Sequence, residues 1–96
     1  MKPTIGRIVH YRLAVEDAIA INDRRHDYLT YRGQSTPGAQ PSMGNTVQSG
    51  EVVPAIVVRV GDFGVNLQVF LDGNDTLWVT SVDEGEGDGT WSWPAR

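Results

Sequence analysis

Two amides, an aromatic ring and a carboxylate occupy every second position of one short stretch: Asn66, Gln68, Phe70 and Asp72. The positions between them are aliphatic. Because successive side chains of a β-strand point to opposite faces, this alternation predicts a strand with an aliphatic core face and a polar, aromatic outer face. Amides can hydrogen-bond the edge of a small polar ring compound while a ring stacks on its face, so the outer face is a candidate binding surface. A plain exposed face, or half of a subunit interface, is the alternative.

Further candidate ligand residues surround this stretch. Asn74 falls in a predicted turn at residues 72–75. Trp78 follows on the next predicted strand, where we interpret it as a core or interface anchor in preference to a ligand platform. Arg59 interrupts an apolar strand in an acidic half of the chain, which makes it a candidate for binding phosphate.

Arg24 and Arg25 are adjacent on a predicted helix. The first interpretation is an ordinary solvated helix face, paired with Asp23 and Asp27. The second is an anion site, formed where copies of the helix meet around a symmetry axis. The sequence leaves both open.

Signals for catalysis or metal binding are weak. His10 and His26 lie on separate elements without paired ligand spacing, and no Gly-x-Ser-x-Gly nucleophile motif is present. The segment 85–89 lacks the Lys and Ser/Thr of a phosphate-binding loop. The chain has no cysteine, so thiolate metal sites and disulfides are excluded. We therefore expect a non-enzyme with no catalytic residue, no metal and no cofactor.

The hydrophobic periodicity predicts an α+β fold: an antiparallel sheet of four to five strands with one N-terminal-half helix packed on or beside it. One domain spans residues 1–96. The predicted strands are 5–13, with Ile5 on the core side, then 52–60, 65–72, 76–82 and 90–94. The predicted helix is 16–31, and residues 33–50 and 83–89 are predicted flexible loops. Six residues repeat at helical spacing and form a stripe that suits helix–helix contact between subunits about as well as a core: Ala14, Ala18, Ile21, Arg25, Tyr28 and Leu29.

Charge is unevenly distributed along the chain. The net charge is −4; basic residues are in excess up to residue 32, and acidic residues are in large excess beyond it. Much of this surface should repel long nucleic acid, whereas a few arginines could hold a small anion. No apolar run reaches the roughly 20 residues of a membrane span, and the start lacks a signal-peptide core. We expect a cytoplasmic protein, and so small a core favours a homo-oligomer.

Three segments together resemble a known family. They are Thr4-Ile-Gly-Arg-Ile-Val-His-Tyr11, the stretch from Gly44-Asn45 to Pro54-Ala-Ile-Val-Val-Arg59, and Val65-Asn-Leu-Gln-Val-Phe-Leu-Asp-Gly-Asn-Asp-Thr-Leu-Trp78 with the ending Gly89-Thr-Trp-Ser-Trp-Pro94. They are similar to small phage-encoded proteins of the first-described Thoeris anti-defence family. The stretch between residues 33 and 44 is shorter than in relatives, which leaves the closing of the ligand pocket open.

The resemblance implies a sponge that acts in the host cytoplasm. Proteins of that family bind the cyclic ADP-ribose isomers made by the host's Thoeris sensor and sequester them unmodified. Some members assemble from dimers into hexamers and hold cyclic trinucleotides at separate sites. Asn66, Phe70 and Asn74 lie in the matching segment, and Arg24 and Arg25 match the basic run of the family's helix and suit the second kind of site.

Two other functions stay open. The acidic second half and the tryptophans favour a phage structural or host-protein-binding module with no small-molecule ligand. A small barrel with aromatic residues could also bind single-stranded nucleic acid, although the net charge of −4 opposes this.

Overall fold

The computed structural model describes residues 2–31 and 43–95, with the side chains of the helix described as far as Asp27. Within these residues one helix accompanies a five-stranded antiparallel sheet, which confirms the predicted α+β fold. The sheet order is β4-β3-β2-β1-β5. The elements are β1 Ile8–Arg12, α1 Val15–Tyr31, β2 Val52–Gly61, β3 Gly64–Phe70, β4 Thr76–Val82 and β5 Trp91–Ser92.

The predicted alternation in β3 is confirmed. Val65, Leu67 and Val69 are almost completely buried, and the residues between them are not. They join the buried residues Ala55 and Val57 of β2 in one core cluster. Burying one such aliphatic side chain contributes roughly 1.5–3 kcal/mol, so this face of the sheet fixes the register of the strands.

Helix α1 covers the core face of the sheet. Ala18, Ile21 and Arg25 are buried within the single chain, which favours the core alternative for this part of the stripe. Ala14 is only half-buried, and the side chains of Tyr28 and Leu29 lie outside the described ones. At the start of the helix, Asp17 Oδ2 accepts a hydrogen bond from the Ala14 backbone N–H at 2.9 Å. This is the reciprocal half of a capping box, at the end where the helix dipole favours negative charge.

The first strand is shorter than predicted. The expectation that Ile5 faces the core is wrong, because its side chain is 71% exposed. The chain turns just after it: the Arg7 N–H donates to the Thr4 carbonyl at 3.1 Å, and Gly6 has a φ of 92°. Glycine adopts this left-handed conformation freely, so the strand begins only at Ile8.

The sheet bends towards closure at one end. Trp91 pairs with Tyr11 of β1 on one side and forms a parallel bridge with Glu84 on the other. The Trp91 N–H donates to the Asp83 carbonyl at 3.0 Å. The segment 83–89, which we predicted to be a flexible loop, is therefore anchored by backbone contacts at its start.

The predicted loop 33–50 lies partly outside the described residues, which resume at Met43. Its described part runs along the turn between β3 and β4. Gly44 forms an antiparallel bridge with Gly73, and the Asn45 N–H donates to the Asp72 carbonyl at 2.8 Å. The chain thus returns from the helix past the turn that carries several predicted site residues.

Candidate functional site

The face of the sheet opposite the helix, which we call the outer face, carries the polar and aromatic residues of β3. Asn66 and Gln68 are half-buried, and Phe70 is 42% exposed. Strand pairing sets Gln68 opposite Trp78, whose side chain is 61% exposed. Trp78 is therefore not a core residue. Asp72 does not share this face, because β3 ends at Phe70 and Asp72 lies in the turn that follows.

A cleft of about 390 Å³ opens on the outer face at the ends of β2, β3 and β4. We call it the β2–β4 cleft. It brings together three of the predicted site residues, Arg59, Asn66 and Trp78. Its remaining lining comes from the β2–β3 turn and the end of β4: Gly61, Asp62, Phe63, Gly64, Thr80 and Ser81. None of these six was among the predicted site residues.

Two irregularities in strand pairing shape the cleft. The pairing of β2 with β3 shifts between Val57 and Arg59, and the pairing of β3 with β4 shifts between Val65 and Leu67. Beyond the first shift Arg59 stands directly opposite Asn66, which puts their Cβ atoms about 5 Å apart. Bulges of this kind bend a strand and redirect its side chains, often beside a binding site.

Ser81 lies in the bulge of β4 and has a φ of 54°. For a residue other than glycine, this left-handed conformation costs of order 1–3 kcal/mol and needs support from its surroundings. The support comes from Asn66: the Ser81 backbone N–H donates to Asn66 Oδ1 at 3.0 Å. Asn66 is therefore part of the bulge as well as part of the cleft wall.

The charge of the cleft comes from two side chains. Arg59 is exposed and makes no ion pair or hydrogen bond with another described residue. Asp62 adds a carboxylate at the rim. Together with the open ring of Trp78, the cleft offers a guanidinium for phosphate, a flat surface for stacking, and an amide and a carboxylate for polar edges. These are the groups that a nucleotide needs.

Asp72 and Asn74 lie away from the cleft. Asn45 Nδ2 donates to Asp72 Oδ2 at 2.7 Å, and the Met43 N–H donates to Asn74 Oδ1 at 2.9 Å. These two predicted ligand residues therefore fasten the β3–β4 turn to the returning chain, and neither lines the β2–β4 cleft.

Arg24 and Arg25 share one carboxylate, that of Asp75. Arg25 Nη1 and Nη2 donate to the two Asp75 oxygens, each at 3.0 Å, and Arg24 Nη1 donates to Asp75 Oδ2 at 2.9 Å. Burial alone would raise the pKa of the Asp75 carboxyl, but these hydrogen bonds outweigh it and hold the pKa below its ordinary value.

The expected solvated face is therefore wrong for Arg25, whose side chain is 3% exposed. The expected pairing with Asp23 and Asp27 is wrong for both arginines, because each pairs with Asp75. An anion site at Arg24 and Arg25 stays a prediction. With Asp75 the two guanidinium groups leave one net positive charge there. Arg24 is the more open of the two, with 33% of its side chain exposed.

A second cleft, of about 460 Å³, lies between β1, β5 and the segment that precedes β5. His10, Arg12 and Trp93 are among the residues that line it. Arg12 Nη1 already donates to the Gly50 carbonyl at 2.9 Å. None of the predicted site residues lines this cleft, so the β2–β4 cleft is the stronger candidate.

In residues 2–31 and 43–95, no group of three or more His, Asp or Glu side chains is placed to hold a metal ion. In the same part of the chain no helix has both the length and the apolar character that crossing a membrane requires.

No protein-family model matches the chain, and neither a curated protein nor a solved structure matches it. The resemblance to the Thoeris anti-defence family therefore rests on the three sequence segments alone and stays a prediction.

Proposed function

We propose that this protein binds a nucleotide immune signal of the cyclic ADP-ribose type and sequesters it without cleaving it, as a phage anti-defence sponge in the host cytoplasm. The observation that carries the proposal is the meeting of Arg59, Asn66 and Trp78 in the β2–β4 cleft. The family resemblance supplies the identity of the ligand, and the cleft supplies the chemistry.

Each part of the ligand has a partner of suitable chemistry. A cyclic ADP-ribose contains a purine, two riboses and a pyrophosphate. Stacking of one base on an aromatic ring such as Trp78 contributes about 1–3 kcal/mol. The guanidinium of Arg59 suits the pyrophosphate, and Asp62 can accept hydrogen bonds from ribose hydroxyls. The cleft volume of about 390 Å³ falls within the usual range of small-molecule sites.

Tight sequestration argues for association between copies of the chain. To outcompete a receptor, a sponge needs a dissociation constant near 1 nM, which corresponds to about 12 kcal/mol. A single open cleft offers little enclosed surface for that. Ile8, Val52 and Phe70 expose 59%, 48% and 42% of their surface on the outer face. Apolar exposure of this kind supports the proposal of a homodimer or hexamer, and native mass spectrometry would count the subunits.

The test is a depletion experiment. Purified protein is mixed with a cyclic ADP-ribose isomer and removed by filtration, and the filtrate is analysed by mass spectrometry before and after the protein is heated. We expect depletion, then release of the intact compound. Recovery of a hydrolysed product would point to an enzyme instead.

Matched variants connect the result to the cleft. Arg59→Ala and Trp78→Ala should clearly reduce depletion when the protein concentration is held near the dissociation constant of the natural chain. Ile19→Ala removes a side chain that is 58% exposed on α1 and should leave depletion unchanged. Full depletion by both cleft variants would place the ligand elsewhere, with the cleft beside His10 and Arg12 as the next candidate.

A host-protein-binding module is the second candidate function. It is favoured by the same exposed apolar side chains of the outer face, which include Phe70 and Trp78. A pulldown from host lysate that yields one stoichiometric partner, with no small molecule released on heating, would favour this function over the sponge.

A further inference from the structure

Asn66 is held in one orientation by the backbone of β4. The Ser81 N–H can only donate a hydrogen bond, so the side-chain atom of Asn66 that faces it, at 3.0 Å, must be the carbonyl oxygen Oδ1. A free asparagine amide can flip and present either its donor or its acceptor to a ligand. Here flipping would set two N–H groups against each other, so the amide is fixed.

The fixed orientation leaves the NH₂ group of Asn66 for the cleft. Asn66 lines the β2–β4 cleft, and its Nδ2 has no hydrogen-bond partner among the described residues. Directly across the β2–β3 pair stands Arg59, whose guanidinium is also a donor without an acceptor. Two neighbouring side chains of the cleft thus present donors only.

We infer that Asn66 and Arg59 form a donor pair that selects an oxyanion of the pyrophosphate type, with Ser81 as the residue that fixes the polarity of the Asn66 amide. The inference rests on the proposed function, because it names the part of the ligand that the cleft recognises. Trp78 lines the same cleft and offers its indole to a flat ring. A neutral nucleoside can use the ring but has no oxyanion for the donor pair.

The probe for this inference is inorganic pyrophosphate, followed by ¹H–¹⁵N NMR on the whole chain. We expect saturable shifts of the Asn66 side-chain NH₂ and the Arg59 Nε–H resonances. Adenosine alone should shift the Trp78 indole and leave the Asn66 NH₂ in place. Failure of pyrophosphate to shift the Asn66 NH₂ overturns the inference.

Asn66→Asp separates orientation from donation. Aspartate keeps an acceptor for the Ser81 N–H, so the hydrogen-exchange protection of that amide should persist. It replaces the donor with a charged oxygen, so pyrophosphate binding should weaken at least about tenfold, the usual scale for a hydrogen bond to a charged group.

Gln68→Glu is the matched control. It makes the same amide-to-acid change on the same face of β3, at a residue outside the cleft lining. We expect at most about a threefold loss from this more distant charge, since exposed charges are screened by salt. Equal weakening by both variants, or loss of Ser81 protection in Asn66→Asp, overturns the inference.

The inference and the proposed function can fail separately. If pyrophosphate shifts the Asn66 resonances but the protein does not deplete cyclic ADP-ribose, the donor pair is supported and the proposed sequestering function is rejected. If Asn66→Asp depletes cyclic ADP-ribose as well as the natural chain does, the proposed sequestering function is supported and the donor pair is rejected.

Discussion

Arg25 and Asp75 lie 50 residues apart in the sequence and form a two-bond ion pair, with both N···O distances at 3.0 Å. Arg25 Nε also donates to the Asn45 carbonyl at 3.1 Å. One buried side chain therefore joins helix α1, the β3–β4 turn and the returning chain. An arginine can do this because its planar group carries five donors in a fixed geometry.

Asp75→Ala should strongly destabilise the fold. The substitution leaves the Arg25 guanidinium, 3% exposed, without its counter-ion. Removing one partner of a buried pair typically costs about 3–5 kcal/mol in the free energy of unfolding. Urea denaturation measures the loss, and Asp88→Ala, at an exposed loop position, should change the free energy by less than about 0.5 kcal/mol. Similar small effects of both changes would show that the pair contributes little.

The Asp75 carboxyl also predicts a pH dependence. Its pKa is lowered in the folded state by the hydrogen bonds from Arg25 and Arg24, which outweigh the effect of burial. The stability that it contributes is thus fully present above the pKa of the unfolded chain, about 3.9, and is lost as the pH falls through the lower folded value. Urea denaturation midpoints are measured at pH 7, 5, 4 and 3. The midpoint should fall more steeply with decreasing pH for the natural chain than for Asp75→Asn. Parallel curves would contradict this assignment.

Much of the fold was predictable because its signals are local. The alternation of Val65, Leu67 and Val69 with polar neighbours predicts both the strand and its buried face, and the structure confirms it. The start of the first strand was not predictable, because Gly6 breaks a hydrophobic pattern that otherwise continues back to Ile5.

The candidate site was only partly predictable, since it depends on long-range register. The sequence pointed to Arg59, Asn66 and Trp78 one by one, but two bulges decide that they share a cleft. Nothing in the local sequence marks Ser81 as a residue with positive φ. In the same way, the local sequence indicates only a turn at Asp75, because its partner Arg25 lies 50 residues away in the chain.

Gly64→Ala should destabilise the wall of the cleft. Gly64 has a φ of 118°, and a Cβ there would lie 2.7 Å from the Val82 carbonyl oxygen. An alanine in that conformation would carry backbone strain of about 1–3 kcal/mol, and the contact with Val82 would add to it. Thermal unfolding should show a clear fall in Tm. Gly87→Ala is the control, because no atom lies within 4 Å of a Cβ at that position. An equal Tm for the two variants would contradict the close approach of β3 and β4.

Arg59→Gln should weaken binding of a cyclic ADP-ribose isomer and reduce its dependence on salt. The guanidinium is exposed and has no ion-pair partner among the described residues, so its charge is available to a ligand. A hydrogen bond to a charged group is usually worth about tenfold or more in affinity. Isothermal titration at low and moderate salt measures both effects. Lys2→Gln removes an equal charge from an exposed position outside the cleft and should change neither. Equal losses of affinity in the two variants would show that Arg59 acts only through the net charge of the protein.

Trp78→Ala should separate binding from stability. A tryptophan in a core of this size would cost about 3–5 kcal/mol on truncation, but the Trp78 side chain is 61% exposed, so the free energy of unfolding should fall by less than about 1 kcal/mol. Leu67→Ala, at a fully buried position of the neighbouring strand, should cost about 2–5 kcal/mol. For binding of a cyclic ADP-ribose isomer we expect the reverse: Trp78→Ala should lose more affinity than Leu67→Ala, because the exposed ring contributes to the complex by stacking.

Trp78→Phe completes the test of Trp78. It keeps an aromatic face, so it should retain part of the affinity that Trp78→Ala loses. Urea denaturation and isothermal titration on the same samples give both quantities. If Trp78→Ala binds as tightly as the natural chain, the exposed ring has no part in the ligand site, and self-association through the outer face becomes the better reason for its exposure.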